Sequence, residues 1–454
     1  MKLMLSDIAQ QLNGQLAGAD LAITGVGIDT RTLKAGDLYV AIKGHQFDGH
    51  DFIERAEQAD ASAILVAQPV NSNLPQIIVT DSRLALAQLA GYWRKLQSIK
   101  VVGVTGSNGK TTIKEMLAAI LSTQGNTLAT QGNLNNNIGV PLTLLRLTEQ
   151  HRYAVIEMGA NHPGEIAYTS QFAQADVSII SNVGTAHIEG FGSITGVAQT
   201  KGEIIASLAT HSVAVLNRDD QFYDYWLNVA GNRKTVSFGF HVNADVRADN
   251  IQSQLQSQGF VTEFDLNVGE LTQRLTLNLA GEHNVKNALA ATAAALQLGI
   301  AISDIQTGLA QLKPVTGRMQ PLLGRKGNLV IDDTYNANPS SLQAALNAVP
   351  AGNDSTWLVL GAFGELGADS ANIHHEMGAM IKAAAVKRLF ATGSLTRQTV
   401  AAFGSGAEYY ENQEQLIQAL NQAITGQETI LVKGSRSQKM ENVVAALVDN
   451  FRAA

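Results

Sequence analysis

Between residues 100 and 313, short β-branched runs alternate with stretches whose apolar positions recur every three or four residues. This predicts strands at 101–105, 153–157, 177–181 and 212–216, separated by helices near 110–124, 164–172 and 194–208. Such alternation implies right-handed crossovers and a largely parallel sheet. Upstream, Ser6 and Asp7 open an amphipathic segment, and the runs 37–42 and 61–66 read as strands, so residues 1–82 are expected to form a smaller α/β unit. Asp81 and Ser82 begin a helical stretch over 84–96 that joins the two. Between about 235 and 280 the period shortens to two, as in Thr272-Gln273-Arg274-Leu275-Thr276-Leu277-Asn278-Leu279, which predicts an antiparallel appendage. Helices return at 284–298 and 303–312, and Lys313-Pro314 closes the unit. The rest reads as α/β again, with strands at 328–332, 357–360, 388–391 and 429–433 and helices near 340–348, 370–385, 413–423 and 439–451. The fold class expected is α/β in three domains: a small α/β domain over 1–82, a connecting helix over 83–99, a central parallel-sheet domain over 100–313 and a Rossmann-like domain over 314–454.

Composition narrows the function classes. A chain of 454 residues suits about three domains, and 45% hydrophobic against 16% charged residues excludes a disordered chain. Lys and Arg number 32 against 39 Asp and Glu, so a general affinity for nucleic acid is not expected and any anion must be held by a local site. Without cysteine there is no disulfide, thiolate metal cluster or cysteine nucleophile. Ser6 and Asp7 interrupt the N-terminal apolar run before it reaches signal-peptide length, and the Ala-rich stretch 288–302 is too short to span a bilayer. A cytoplasmic, monomeric protein without membrane insertion is expected.

The strongest local signal is Gly106-Ser107-Asn108-Gly109-Lys110-Thr111-Thr112, which follows a predicted strand and runs into a predicted helix. Glycines permit tight turns, while loop N–H groups and the helix N-terminus face an anion; Lys110 reaches the outer phosphates and Thr111 offers a magnesium ligand. The strict pattern wants glycine where Val104 stands, so this is a variant loop. Strand 153–157 delivers Glu157 to the sheet edge where ligands sit, as a magnesium ligand or a helix-capping acid. His187 follows the next strand on the same rim, as a hydrogen-bonding or structural group or, less usually, a magnesium ligand. Nothing in the spacing separates Lys201 from a solvated helix lysine.

These residues belong to longer runs that resemble the Mur ligase family over essentially the whole chain. Asp29-Thr30-Arg31, the segment 36–41, Lys43-Gly44 and the segment 48–52 are similar to the family's UDP-sugar domain, which implies that Thr30, Arg31 and Gly44 line a uridine diphosphate site. The loop from Thr105 to Thr112 matches the family's own spelling, and Asn135-Asn136-Asn137, the segment 157–165 and the segment 182–192 resemble it as closely. The likeness gives Asn136 and Asn137 to substrate binding and reinterprets Lys201 as a carbamoylated lysine. A carbamate is an anion with hard oxygen ligands, so Lys201, Glu157, His187 and Thr111 would hold ATP-bound magnesium, two ions in all. Asn284 and Asn287 would contact adenine. Arg318 would reach the γ-phosphate; Asp333 would lie near the ribose, and Tyr335 and Asn336 near the nucleotide. Lys433, Ser435 and Arg436, with Glu441, would complete the substrate site. One departure stands out: Ala362 occupies the place of a family aspartate.

The run Tyr335-Asn336-Ala337-Asn338-Pro339 resembles the D-alanyl-D-alanine-adding branch. The implied reaction joins D-alanyl-D-alanine to UDP-N-acetylmuramoyl-tripeptide through an acyl phosphate, releasing ADP and phosphate, with Lys110, Glu157, His187, Lys201 and Arg318 as the catalytic group. A related Mur or folylpolyglutamate-type ligase with another acceptor, and a nucleotide-dependent switch, are the alternatives.

Overall fold

The computed structural model describes the chain except residues 45, 185–187, 257–258, 313–314, 350–354, 450 and 452–454, and the side chains of 188 and 189. His187 and the pair Lys313-Pro314 therefore lie outside the described residues.

Each of the three large sheets draws its strands from one stretch of chain. The first has five strands in the order Gln15–Ala17, Gln76–Ile78, Ala63–Val66, Asp37–Val40, Gly25–Gly27. Its edge strand Gln15–Ala17 is antiparallel to its neighbour and the other pairings are parallel. The chain leaves it through the helix Ser82–Lys95, which begins where the Asp81 carboxylate accepts the N–H groups of Arg83 and Leu84. Leu86, Leu89 and Ala90 of this helix are buried in one continuous core with Leu38 and Leu65 of the first sheet and Val101 and Ile156 of the next. The connector thus joins the two units by packing, as a shared wall.

The second sheet has nine strands. Lys100–Thr105 is third from one edge, between Tyr153–Glu157 and Val177–Ile180, all parallel, so the C-terminal ends of three strands open on one rim. These strands are buried on both faces, which is why they read as continuous apolar runs. Val213–Asn217 and Lys234–Gly239 extend the sheet in parallel. The expected antiparallel appendage is a continuation of this sheet: Val246–Gln256 pairs parallel to Lys234–Gly239, then antiparallel to Gly259–Val268, which pairs with Leu271–Leu277. The last three strands are joined by two residues each, too few for a parallel crossover, so they pair antiparallel, and the inward face of the ribbon still needs the helix Gly281–Gln297 to cover it. A strand at Thr127–Ala129 and helices at Gly139–Leu145 and Tyr223–Ala230 are elements the apolar pattern did not reveal; all are at most eight residues long.

The third sheet has six strands, in the order Gln320–Leu323, Leu329–Asp333, Thr429–Lys433, Thr356–Gly361, Arg388–Thr392, Ala407–Tyr410. All but the first pairing are parallel. Phe260 and Ala280 of the central unit share a core with Met319, Ile331 and Leu346 of this one, so the two face each other across a buried contact. The helix Pro339–Ala348 starts with Asn338 and Ser341 in a reciprocal cap, with proline at its first position.

Candidate active site

A cleft of about 1710 Å³ runs between the central and third units. Its floor is the glycine loop. Gly106 has φ +145°, and a Cβ there would fall 1.8 Å from Ser181 Oγ; Gly109 has φ +82°, and a Cβ there would fall 2.3 Å from Asn287 Oδ1. Glycine is required at both places by conformation and by contact. The helix Lys110–Ser122 then aims its N-terminus at the cleft. Lys110 Nζ donates to Gly106 O at 2.7 Å and Ser107 O at 3.4 Å. Burial lowers its pKa; Glu157 opposes that shift and Arg318 adds to it.

Glu157, at the end of its strand, is 2% exposed. Its Oε1 accepts from Asn135 Nδ2 at 2.9 Å, while Oε2 is buried with no hydrogen-bond partner among the described residues. A buried carboxylate oxygen left so is costly unless a cation or proton meets it. Lys201, on the helix Ile194–Ala206, is equally buried, with Nζ 5.5 Å from the centre of the Phe191 ring. Its pKa is pushed down to about 7, first by burial and then by the charge of Lys110, against the pull of Glu203 and Glu165.

The opposite wall comes from the third unit. Register pairs Asp333 with Lys433, so the two side chains meet at the strand ends: Lys433 Nζ donates to Asp333 Oδ2 at 2.5 Å and to Asn336 O at 3.3 Å. Arg318 reaches across the cleft and donates from Nη2 to Thr111 Oγ1 at 3.0 Å. The Tyr335 ring lies 4.3 Å from the Arg318 guanidinium and 5.7 Å from that of Arg436, which is paired with Glu441 at 3.5 Å.

Of the residues singled out from the sequence, Ser107 through Thr112, Asn136, Asn137, Glu157, Lys201, Asn284, Asn287, Arg318, Asp333, Tyr335, Asn336, Lys433 and Arg436 line this one cleft. Others stand outside its walls. Thr105 is fully buried, its hydroxyl bonded to Met158 O at 2.8 Å, and Gly106 packs behind the loop against Ser181. Ser435 sits in the third unit, accepting the Gly364 N–H at 2.7 Å. Thr30, Arg31 and Gly44 belong to the first unit and do not line the cleft; Arg31 is held in a fork by Asp29, at 2.9 and 2.6 Å.

Ala362 is buried, and Gly393 packs so closely that a Cβ there would lie 2.9 Å from the Ala362 Cβ. The loop after it is held by other groups: Phe363 N–H donates to His374 Nε2 at 3.1 Å. Burial lowers the pKa of His374, against the hydrogen bond to the Ser370 carbonyl.

Several cleft residues were not found from sequence. Asp219 and Lys286 form a pair at 2.8 Å, with Lys286 Nζ 4.7 Å from the Phe240 ring centre. Lys286 lies in the family-like run that carries Asn284 and Asn287, but no motif marks Asp219 or Phe240. His283 adjoins Asn284, its pKa pushed down to about 4 by burial.

Comparison with known proteins follows the same division. Residues 22–94 match the model described as Mur ligase family, catalytic domain; 104–295 match the Mur ligase middle domain; 317–436 match the Mur ligase, glutamate ligase domain. The chain is 45% identical over 98% of both chains to the UDP-N-acetylmuramoyl-tripeptide–D-alanyl-D-alanine ligase of Escherichia coli K12. It superposes on a crystal structure of MurF from Acinetobacter baumannii with a TM-score of 0.93, at 36% identity and 98% coverage of both chains. The MurF ligase of Thermotoga maritima in complex with ADP gives a TM-score of 0.83 at 30% identity, covering 93% of this chain and 96% of that one.

Proposed function

Because the chain belongs to the Mur ligase family, we propose that it joins D-alanyl-D-alanine to UDP-N-acetylmuramoyl-tripeptide, hydrolysing ATP to ADP and phosphate in peptidoglycan precursor synthesis. The terminal carboxylate of the tripeptide attacks the γ-phosphorus and ADP leaves. The amine of D-alanyl-D-alanine then attacks the acyl phosphate, phosphate leaves, and the surplus proton passes to solvent. Bringing a carboxylate to a triphosphate sets anion against anion, so positive charge must be fixed along the path. Lys110 on one wall and Arg318 on the other supply it, and the geometry carrying this reading is the Arg318–Thr111 contact that closes the cleft over the phosphate loop. Closure of the cleft over bound substrates would keep water from the acyl phosphate.

The residues present fit magnesium. Glu157 Oε2 is a buried oxygen without a hydrogen-bond partner among the described residues, and Thr111 offers a hydroxyl beside the loop, while the ammonium form of Lys201 does not fit a cation. Lys201 becomes suitable as a carbamate: with its pKa near 7 much of the amine is neutral, and it adds to carbon dioxide to give N-carboxylate and a released proton. Magnesium bound by Thr111, Glu157 and carbamoylated Lys201 would neutralise phosphate oxygens. His187 belongs to the same proposed group.

Asn284 and Asn287 would face the adenine, Asp333 the ribose, Tyr335 and Asn336 the nucleotide, and Asn136, Asn137, Lys433 and Arg436 the peptide substrates. Thr30, Arg31 and Gly44 would bind the uridine diphosphate end on the first unit, and the divisions at 82, 99 and 313 would bound the moving bodies. A cytoplasmic site of action fits these soluble substrates; among the described residues no helix is long and apolar enough to cross a membrane. The test is phosphate release with ATP and magnesium, adding the two substrates separately and together, with mass detection of the pentapeptide. Product only with both is expected; steady release without product would refute the ligase.

A further inference from the structure

Asn108 lies in the glycine loop, where a phosphate contact would be the ordinary assignment, yet its polar atoms are engaged elsewhere. Its N–H donates to Asn182 Oδ1 at 2.9 Å, and its carbonyl accepts from Ser181 Oγ at 2.5 Å and Asn182 Nδ2 at 3.2 Å. The backbone is thus pinned to the end of the neighbouring strand. The side chain crosses to the third unit: Nδ2 donates to Ser340 Oγ at 3.0 Å, and Oδ1 accepts from Asn338 Nδ2 at 2.8 Å.

The partners are matched to this. Asn338 caps the helix Pro339–Ala348 with its oxygen, accepting from Ser341 N–H and Ser340 Oγ at 2.8 Å each, which leaves its NH2 group for Asn108. Ser340 has turned its proton toward Asn338, so its oxygen is left to accept. Only a side chain offering donor and acceptor together completes both bonds. Gly184 sits under the junction, and a Cβ there would lie 3.0 Å from Ser340 Oγ and 3.3 Å from Asn108 Nδ2.

We infer that Asn108 is a positioning residue, the latch by which the phosphate loop holds the third unit in the arrangement that brings Arg318 to Thr111. It acts through Asn338 and Ser340. This rests on the ligase reading for its catalytic consequence, but the latch itself is a statement about domain placement and is tested separately.

The chain has no cysteine, so the exposed sites Ser122→Cys and Gln422→Cys give a unique pair for spin labels on the central and third units. Interlabel distances are measured with ADP bound, together with ADP affinity, for the wild type, Asn108→Ala, Ser340→Ala and the double variant. The expected result is a distance distribution that broadens and lengthens in each variant, no further in the double variant than in Asn108→Ala, with ADP affinity changed less than about twofold. In turnover, kcat falls about tenfold while the KM for ATP holds, a split that follows when a group acts only in the closed state. Unchanged distances, or a wild-type distribution as broad as that of the variants, would overturn the latch. So would a loss of ADP affinity at unchanged distance, which would make Asn108 a nucleotide contact. A protein that fails to form amide product but shows the distance change would refute the ligase reading and keep the latch.

Discussion

The two walls of the cleft handle charge in opposite ways. On the central wall burial lowers the pKa of both Lys110 and Lys201, the charge of Lys110 adds to the lowering at Lys201, and Glu157 keeps an oxygen without a hydrogen-bond partner among the described residues. On the third wall each charge has a partner from its own unit, Lys433 with Asp333, Arg436 with Glu441 and Arg318 with the Tyr335 ring, while Arg318 Nε and Glu441 Oε2 are buried without a hydrogen-bond partner among the described residues. The central wall therefore carries charge that phosphate, cation and carbamate would complete, whereas the third wall pairs its charged groups within its own unit and can travel as a body. A moving wall with unmatched buried charge would be destabilised whenever it opened; a fixed wall can keep its charges poised for a ligand.

The largest effect should follow from breaking the central wall. Lys201→Ala is expected to lower turnover by about 10³-fold while ATP still binds, the size of loss seen when a preorganised electrostatic group is removed. The same residue sets a pH dependence. Its folded pKa lies near 7, below that of a free lysine, so the neutral amine needed for the carbamate is lost as pH falls through about 7. In the unmodified protein the sign for stability agrees: the unfolded chain binds more protons between about 7 and the free-lysine value, so stability rises with pH there and is lost as pH falls through about 7. A ¹³C carbamate resonance from labelled carbon dioxide, present at pH 8 and absent in Lys201→Ala, checks this; full turnover without that signal would count against it.

The third wall should fail by stability instead. Lys433→Met leaves Asp333 as a buried, uncompensated charge and is expected to cost about 3 kcal/mol, measured by denaturant unfolding. A neutral result would mean that solvent reaches the pair. Arg318→Ala links the walls: turnover should drop about 10²-fold with ATP affinity nearly unchanged, since the guanidinium meets the phosphate loop only across the closed cleft. A pure affinity loss with intact turnover would contradict that. The smallest effect on stability is that of Asn338→Ala, about 1 kcal/mol in thermal unfolding from the lost helix cap; as a partner in the latch it should also lower turnover about as much as Asn108→Ala does.

Legibility in the sequence followed the same division. The phosphate loop was readable because strand, glycines, lysine and helix are contiguous, and each imposes a backbone requirement that few residues meet. The parallel strands were readable because burial on both faces makes them continuously apolar. The strand at Thr127–Ala129 was not, being three residues held by pairing to Tyr153–Val155. The antiparallel ribbon showed the right period, but that period does not say which sheet it joins. Family resemblance marked Lys201, Arg318 and Tyr335, whose spacing alone says nothing; Asp219 and Phe240, which meet Lys286, had neither kind of signal.

By itself, then, the sequence determined what local chemistry can encode: an α/β chain with an anion-binding loop, a carboxylate at the adjoining strand end and no cysteine chemistry. Only the tertiary structure decided that Arg318 meets Thr111, that Lys433 neutralises Asp333 and that Asn108 turns away from the loop toward Asn338. Those pairs are separated by a hundred residues or more, and their energies depend on burial and register, which exist only once strands from separate parts of the chain lie side by side.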